Sequence, residues 1–283
     1  VIFAIAGCAP PPPAGSPHWT LGEPYQMGGM WSYPAERFAG SDTGLAAVLP
    51  ATRKRTTNGE YYDPQRLVAA HRILQLPAIV TVENLETGKA LRVRVNDRGP
   101  ENPARLLGLS PRAAALLGVT STAQIRVTVD EAASRALARS LPGGDASLPK
   151  VAAAPTARVE RETLAPPPGA RAADPPPYAV AHGSAPPPAE ARDPGLPPDP
   201  LPETVTQGTP APGRLWLEAS TFERRDLAAA QARRLGGEVE RVGEGRQVQW
   251  RVRRGPFADV ASADVAFAAA RRAGLNELKL LVD

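Results

Sequence analysis

Nineteen of the chain's 33 prolines fall between Pro142 and Pro212, and that crowding decides how much of the 283-residue sequence can fold. A stretch such as APPPGARAADPPPYAVAHGSAPPPAEARDPGLPPDPLP holds almost no large apolar side chains, so burial cannot offset the entropy of ordering it. Residues 131–212 are therefore expected to be a disordered Pro/Ala-rich linker, spanning roughly 50 Å as a flexible coil and more where its proline runs adopt polyproline II. Two segments of small-domain size remain, 43–130 and 213–283, with a Pro/Gly-rich tether and an aromatic segment over 9–42. Net charge is +4 and unevenly placed: twelve basic against seven acidic side chains over 52–130 and thirteen against ten over 213–283, offset by seven against nine in the linker and one against three before residue 52. This mild excess suits an acidic polymer or a glycan. Nucleic acid would bring a denser basic stripe.

The first segment reads as a small mixed barrel. Ala78–Glu83 and Ala90–Val95 are predicted strands joined by a turn at Glu86-Thr87-Gly88. Leu91, Val93 and Val95 alternate with Arg92 and Arg94, which predicts one buried and one wet face. Ser110-Pro111 through Leu117, closed by Gly118, has the N-cap, first-turn proline and C-terminal glycine of one helix. Ile125, Val127 and Val129 form a last alternating strand. Asp63-Pro64 through His71 reads as a short helix with Asp63 at its N-cap.

Two blocks concentrate the titratable groups: Thr57-Asn58-Gly59-Glu60-Tyr61-Tyr62-Asp63, closing on His71, and Val95-Asn96-Asp97-Arg98-Gly99-Pro100. A half-buried strand ending in Asn-Asp-Arg-Gly-Pro puts its polar cluster where the strand leaves the core. A carboxylate held there in a fixed environment suits general acid/base chemistry. Each residue also has a plain structural reading. Asp97 can accept N–H groups of the following turn, Glu60 can be a solvated turn residue, Asp63 a helix cap, and His71 a helix-end histidine bonded to a carbonyl.

The two blocks, the segment between them and their spacing resemble the rare lipoprotein A family of bacterial cell-wall proteins over roughly residues 43–130. The resemblance implies a double-psi β-barrel whose polar groove acts on peptidoglycan as a lytic transglycosylase. Asp97 would be its acid, with His71, Glu60 and Asp63 completing the groove. Lytic transglycosylases cleave the MurNAc–GlcNAc bond without water, through one principal carboxyl group that must stay protonated near neutral pH. Arg98 either tunes Asp97 or points away and holds a substrate carboxylate. Two departures from the family stand out. Gly44–Pro50, followed by Ala51-Thr52-Arg53, lacks the family's Trp-Tyr strand. Leu106-Leu107-Gly108-Leu109-Ser110 has glycine where the family carries a second aspartate. Glycine cannot transfer a proton, so a second reading stands beside the first: a non-catalytic, expansin-like peptidoglycan-binding lipoprotein. Residues 24–44, with Tyr25, Trp31 and Tyr33, resemble the aromatic segment that precedes the barrel in some members, and these rings are expected to pack on the barrel's outside, with a binding role as the second reading.

The last 71 residues alternate strand and helix patterns in the order βαββαβ, a ferredoxin-like arrangement. LEASTF, followed about thirty residues on by Arg251-Val252-Arg253-Arg254-Gly255-Pro256-Phe257, resembles the sporulation-related repeat (SPOR). Domains of that family bind peptide-stripped glycan strands at the division septum. Strand alternation puts Leu215, Leu217, Val248, Trp250 and Val252 on the buried face. It leaves Trp216, Glu218, Gln249, Arg251 and Arg253 on the open face, where a ring and guanidinium groups can bind sugars. The same fold carries RNA-recognition domains, but their Lys/Arg-Gly-aromatic block is absent, so no nucleic-acid partner is expected.

Cys8 is the sole cysteine, which excludes an internal disulfide. Ile5-Ala6-Gly7-Cys8 resembles a bacterial lipobox, which implies residues 1–8 as the remnant of a lipoprotein signal peptide and a lipid anchor on Cys8. Ala9 in place of aspartate implies the outer membrane, with the protein periplasmic and enriched at the septum. Only seven residues precede Cys8 and none is positive, so the start is expected to be truncated. Three histidines and one cysteine without ligand spacing predict no metal and no cofactor.

Overall fold

The structure is a computed structural model that describes residues 15–52, 54–143, 197, 199–245 and 248–283. Cys8 and residues 144–196 of the expected linker lie outside them. A short hairpin, β1 (Tyr25–Met27) and β2 (Met30–Ser32), precedes a barrel of six strands. These are β3 (Ser41–Val48), β4 (Val68–His71), β5 (Ala78–Asn84), β6 (Lys89–Asp97), β7 (Leu107–Leu109) and β8 (Thr122–Val129). They run in the order β4-β7-β3-β8-β5-β6, and β4 also pairs with β6, closing the ring. The β3–β7 and β4–β6 pairs are parallel and the others antiparallel. The result is a closed mixed barrel of the double-psi kind.

Alternation on β5, β6 and β8 drives Ile79, Leu91 and Ile125 into a core with Leu107, Leu109 and Leu117, all at most 1% exposed. Complete burial of each such side chain is worth about 1.5–3 kcal/mol. Helix α1 (Pro111–Leu117) forms as its caps predict: Ser110 Oγ accepts from Ala113 N and Gly118 takes the left-handed conformation.

The structure departs from the sequence reading in four places. Residues 63–71 are not a helix. Asp63 Oδ1 accepts from Gln65 N at 2.9 Å, closing an Asx turn, and Val68–His71 is strand β4, hydrogen-bonded to β6 on one side and β7 on the other. Two ladders outweigh one local cap signal. Residues 131–140, which contain no proline, are helix α2 (Glu131–Ser140) instead of linker. Asp130 caps it, Ala133 and Leu137 enter the core, and Ser134 Oγ bonds both Ile79 N and Ile79 O. Residues 199–212 also touch the barrel: Leu201 is buried and β9 (Thr206–Gln207) pairs with Lys89–Ala90. Finally, Arg94 is buried at 7% exposure instead of wet.

The C-terminal segment folds as β10 (Leu215–Phe222), α3 (Arg225–Leu235), β11 (Glu238–Val242), β12 (Gln249–Phe257), α4 (Val260–Arg272) and β13 (Lys279–Val282), with sheet order β11-β12-β10-β13. Leu215, Leu217, Val252, Phe267 and Leu280 fill its core. A bulge interrupts the β10–β12 ladder between Glu218 and Thr221, where Ser220 takes a φ of 81°. Leu45, Leu85 and Ala104 of the barrel join this second core, Arg105 grips Asp264 through two bonds of 2.6 and 2.7 Å, and Thr43 Oγ1 donates to Val282 O. Barrel and C-terminal domain thus lie in one compact unit.

Candidate functional site

The two polar blocks meet where β4 and β6 end. Parallel pairing sets Ala70 of β4 against Asp97 of β6, and antiparallel pairing sets the same Ala70 against Gly108 of β7. The 56–60 turn folds back over this end because Gly59 adopts a φ of 84° with Ser16 O only 2.2 Å from where a Cβ would stand. Gly99, at a φ of 140°, lets the chain leave β6 with the Cβ of Ala70 close by.

Asp97 is 7% exposed, and its two oxygens are used differently. Oδ1 accepts from Thr57 N at 3.0 Å, Thr57 Oγ1 at 2.8 Å and Arg98 N at 2.9 Å. Oδ2 faces Lys54 Nζ at 2.8 Å, and the Lys54 side chain is 60% exposed. Oδ1 is fully engaged, and Oδ2 is the oxygen that a ligand can reach by displacing Lys54. Thr57 belongs to the first polar block, but Lys54 and the pairing through Ala70 carry no motif signal; only the folded turn and ladder bring them to Asp97.

Glu60 is built in the opposite sense. Its Oε1 accepts from Asn58 Nδ2 at 2.7 Å and from the Arg94 guanidinium, and its Oε2 accepts from Asn96 Nδ2 at 2.8 Å. Burial alone would raise this carboxyl group, but the adjacent Arg94 charge and the three hydrogen-bonding partners hold it below the ordinary glutamate range. Glu60 is a buried anion, not a solvated turn residue. Arg94, its counter-charge, was hidden in the sequence by an alternation that read it as surface.

His71 is buried, and its Nδ1 accepts from Ile73 N at 3.2 Å and Leu74 N at 3.1 Å. Nε2 therefore carries the proton. Burial, reinforced by the Arg98, Arg37 and Arg72 charges and only partly countered by Asp42, lowers the imidazole to about 4. His71 is a neutral donor at physiological pH. Arg98 points away from Asp97, its guanidinium donating to the carbonyls of His71, Leu74 and Leu21, so it is not free to hold a substrate carboxylate. Asp63 is taken up by its own turn. Two polar atoms at this end, Tyr62 Oη and Asn96 Oδ1, are buried without a partner. Burial, with Asp63 and Asp97 adding to it, pushes the Tyr62 phenol up to about 12, which keeps it protonated. Among the described residues no cluster of three or more potential metal ligands occurs.

On the C-terminal sheet, Trp216, Glu218, Arg251 and Arg253 line one cleft, with Thr43 and Asp283 at its edge. Arg253 lies over the Trp216 ring at 4.1 Å, and the Trp216 indole N–H is buried without a partner. Arg251 bonds Glu240 and lies 3.7 Å from Glu218, while Arg253 bonds Glu240 and Asp283. Burial raises the Glu218 carboxyl group, with Arg251 opposing. Gln249 is not among the lining residues; it sits exposed opposite Val242.

A family profile described as lytic transglycolase matches residues 42–129, the barrel. The chain is 37% identical over 134 residues to a Pseudomonas aeruginosa (strain UCBPP-PA14) protein named endolytic peptidoglycan transglycosylase RlpA, covering 46% of this chain and 38% of that protein. It is 46% identical over 76 residues to the Vibrio cholerae protein of the same name, covering 26% and 29%. The chain thus spans well under half the length of these relatives. The C-terminal domain aligns with the crystal structure of the RlpA SPOR domain from Pseudomonas aeruginosa at 23% identity and a TM-score of 0.23, over 24% of this chain and 99% of that one.

Proposed function

We propose that the barrel, which matches the lytic transglycolase family over residues 42–129 and is similar to the RlpA transglycosylases, is a peptidoglycan lytic transglycosylase with Asp97 as the proton-moving group. The observation that carries the reading is the asymmetry of Asp97: one oxygen is locked by three donors, while the other faces only an exposed lysine that a substrate can displace. Asp97 Oδ2 would give its proton to the glycosidic oxygen as the C1–O4 bond of a MurNAc–GlcNAc pair breaks. It would then take the proton of the MurNAc C6 hydroxyl as that oxygen closes on C1. The proton returns to Asp97, no water is consumed, and a 1,6-anhydro end results. Glu60 and His71 serve in other ways. The Glu60 anion, fixed by Arg94, holds the Asn58 and Asn96 amides in place, and the neutral His71 offers an Nε2–H donor. Asp63 closes its own turn through Oδ1.

The C-terminal cleft is the glycan-holding site in this reading, supported by a buried indole N–H that lacks an acceptor and by guanidinium groups beside it. Cys8, from its lipobox-like setting, would carry the lipid that holds the protein at the periplasmic face of the outer membrane, near the septum. Cys8→Ala should then release the protein to the soluble fraction.

The non-catalytic reading keeps one specific support, the glycine at position 108. Mass spectrometry of peptidoglycan incubated with the full chain separates the two. Fragments ending in 1,6-anhydro-MurNAc are expected. Fragments one water heavier would mean hydrolysis, and intact strands that still bind the protein would establish a binding module.

A further inference from the structure

The alternation of β2 turns Met30 and Ser32 inward and Trp31 outward, and Tyr33 follows on the same side two residues later. The expectation that the segment's rings pack on the barrel holds for Tyr25, whose Oη donates to Arg72 O at 2.8 Å, but not for the other two: Trp31 is 54% and Tyr33 64% exposed, the two most exposed aromatic rings among the described residues. They stack on each other instead, centroids 6.5 Å apart and planes 27° apart, an offset that leaves each a face open to solvent.

The platform is also held in place. Arg72, the residue after His71, donates from Nε to Ser32 Oγ and from its terminal nitrogens to Met27 O, Met30 O and Pro100 O. One guanidinium thus ties the hairpin to the loop that follows Asp97. Gly28 lies so close to Glu101 O that a Cβ would stand 2.0 Å from it. A rigid pair of large, flat, amphipathic rings left in water is unusual for a surface with no ligand, since exposed apolar area of this kind marks a contact site.

We propose that Trp31 and Tyr33 form a carbohydrate-stacking subsite that holds a sugar ring of the glycan strand alongside the Asp97 end of the barrel. This rests on the glycan-cleaving reading above and adds a second point of attachment to it. The charge around the rings is mixed, as a polar sugar strand needs and an anionic membrane does not: Glu23, Glu36 and Glu101 are exposed, Arg37 is paired with Asp42, and the Arg271 guanidinium lies against Gly29 of the hairpin turn. Sugar hydroxyls can donate to such carboxylates and accept from such a guanidinium.

The test uses the full chain carrying 5-fluorotryptophan, whose four tryptophans give separate fluorine resonances assigned by Trp31→Phe and Trp216→Phe. The probe is a peptide-free GlcNAc–MurNAc oligosaccharide. The proposal expects the Trp31 resonance to move in a saturable way, and the Trp31→Ala/Tyr33→Ala double variant to bind the oligosaccharide roughly three- to tenfold more weakly. The buried Trp19 resonance should stay unchanged as evidence of intact folding. If Trp216 responds and Trp31 does not, the subsite is rejected while glycan recognition stands. If neither responds, both readings fall. A Trp31 shift caused by phosphatidylglycerol vesicles and not by the sugar would also overturn the proposal, assigning the rings to a membrane.

Discussion

The barrel groove and the C-terminal cleft each place carboxylates next to arginines, but they do so at opposite levels of burial. Glu60 and Arg94 form a pair whose side chains are about 10% exposed, and both Glu60 oxygens have partners. In the cleft, Arg251 and Arg253 share Glu240, which is 36% exposed. The first pair sits where losing one partner strands a charge out of water. The second sits where water can replace a lost partner and where a ligand can compete for the same donors. The groove is therefore a fixed frame around one movable proton, and the cleft is an exchangeable set of donors beside an aromatic ring.

The sharpest break of that contrast is Glu60→Ala. Stranding Arg94 should destabilise the protein by about 3–5 kcal/mol in urea unfolding, whereas Arg251→Ala should cost less than about 1 kcal/mol. Equal effects would remove the distinction.

Acid comes next. His71 is lowered to about 4 from the ordinary 6.5 because the fold keeps it neutral. The unfolded chain therefore binds the extra proton first, and stability present above pH 6.5 declines as pH falls towards 4, by roughly 3 kcal/mol in all. Glu60, held below its ordinary value, contributes stability that is lost only at still lower pH. His71→Asn, which keeps an acceptor for Ile73 N and Leu74 N, should flatten the slope between pH 6.5 and 4 in thermal unfolding.

Gly108→Asp tests whether the missing carboxylate can be restored. Its φ is not left-handed, so the backbone permits the change, but the new Cβ would stand 2.5 Å from Leu49 Cδ2. Leu49 must move, at a cost of about 1–3 kcal/mol. Ala70 lies between this position and Asp97, so the two backbones are two strand spacings apart, about 10 Å. Cleavage should therefore change by less than about tenfold, read from the initial rate of anhydro-end formation. The smallest expected effect is on folding in the cleft: Arg251→Ala should leave the melting temperature nearly unchanged while reducing glycan pull-down.

Local chemistry was legible wherever it decided the outcome. Ser110, Pro111 and Gly118 mark helix α1 because caps act within a few residues. The βαββαβ order is readable because each element carries its own period. What stayed hidden depends on residues distant in sequence. Asp63-Pro64 looks like a helix start until β6 and β7 claim Val68–His71. Arg94 looks wet until the 56–60 turn brings Glu60 against it, and Lys54 gives no sign of Asp97. The Pro-rich composition was extended ten residues too far, over a stretch whose alanines and Leu137 pack as α2.

The most direct test is Asp97→Asn. The amide can keep its carbonyl toward Thr57 and Arg98 N but has no proton to give and none to take back. With the fold intact by circular dichroism and glycan binding retained, release of 1,6-anhydro-ended fragments should vanish while wild type releases them. Anhydro-ended fragments formed by Asp97→Asn at the wild-type rate would contradict the assignment of Asp97 as the proton-moving group.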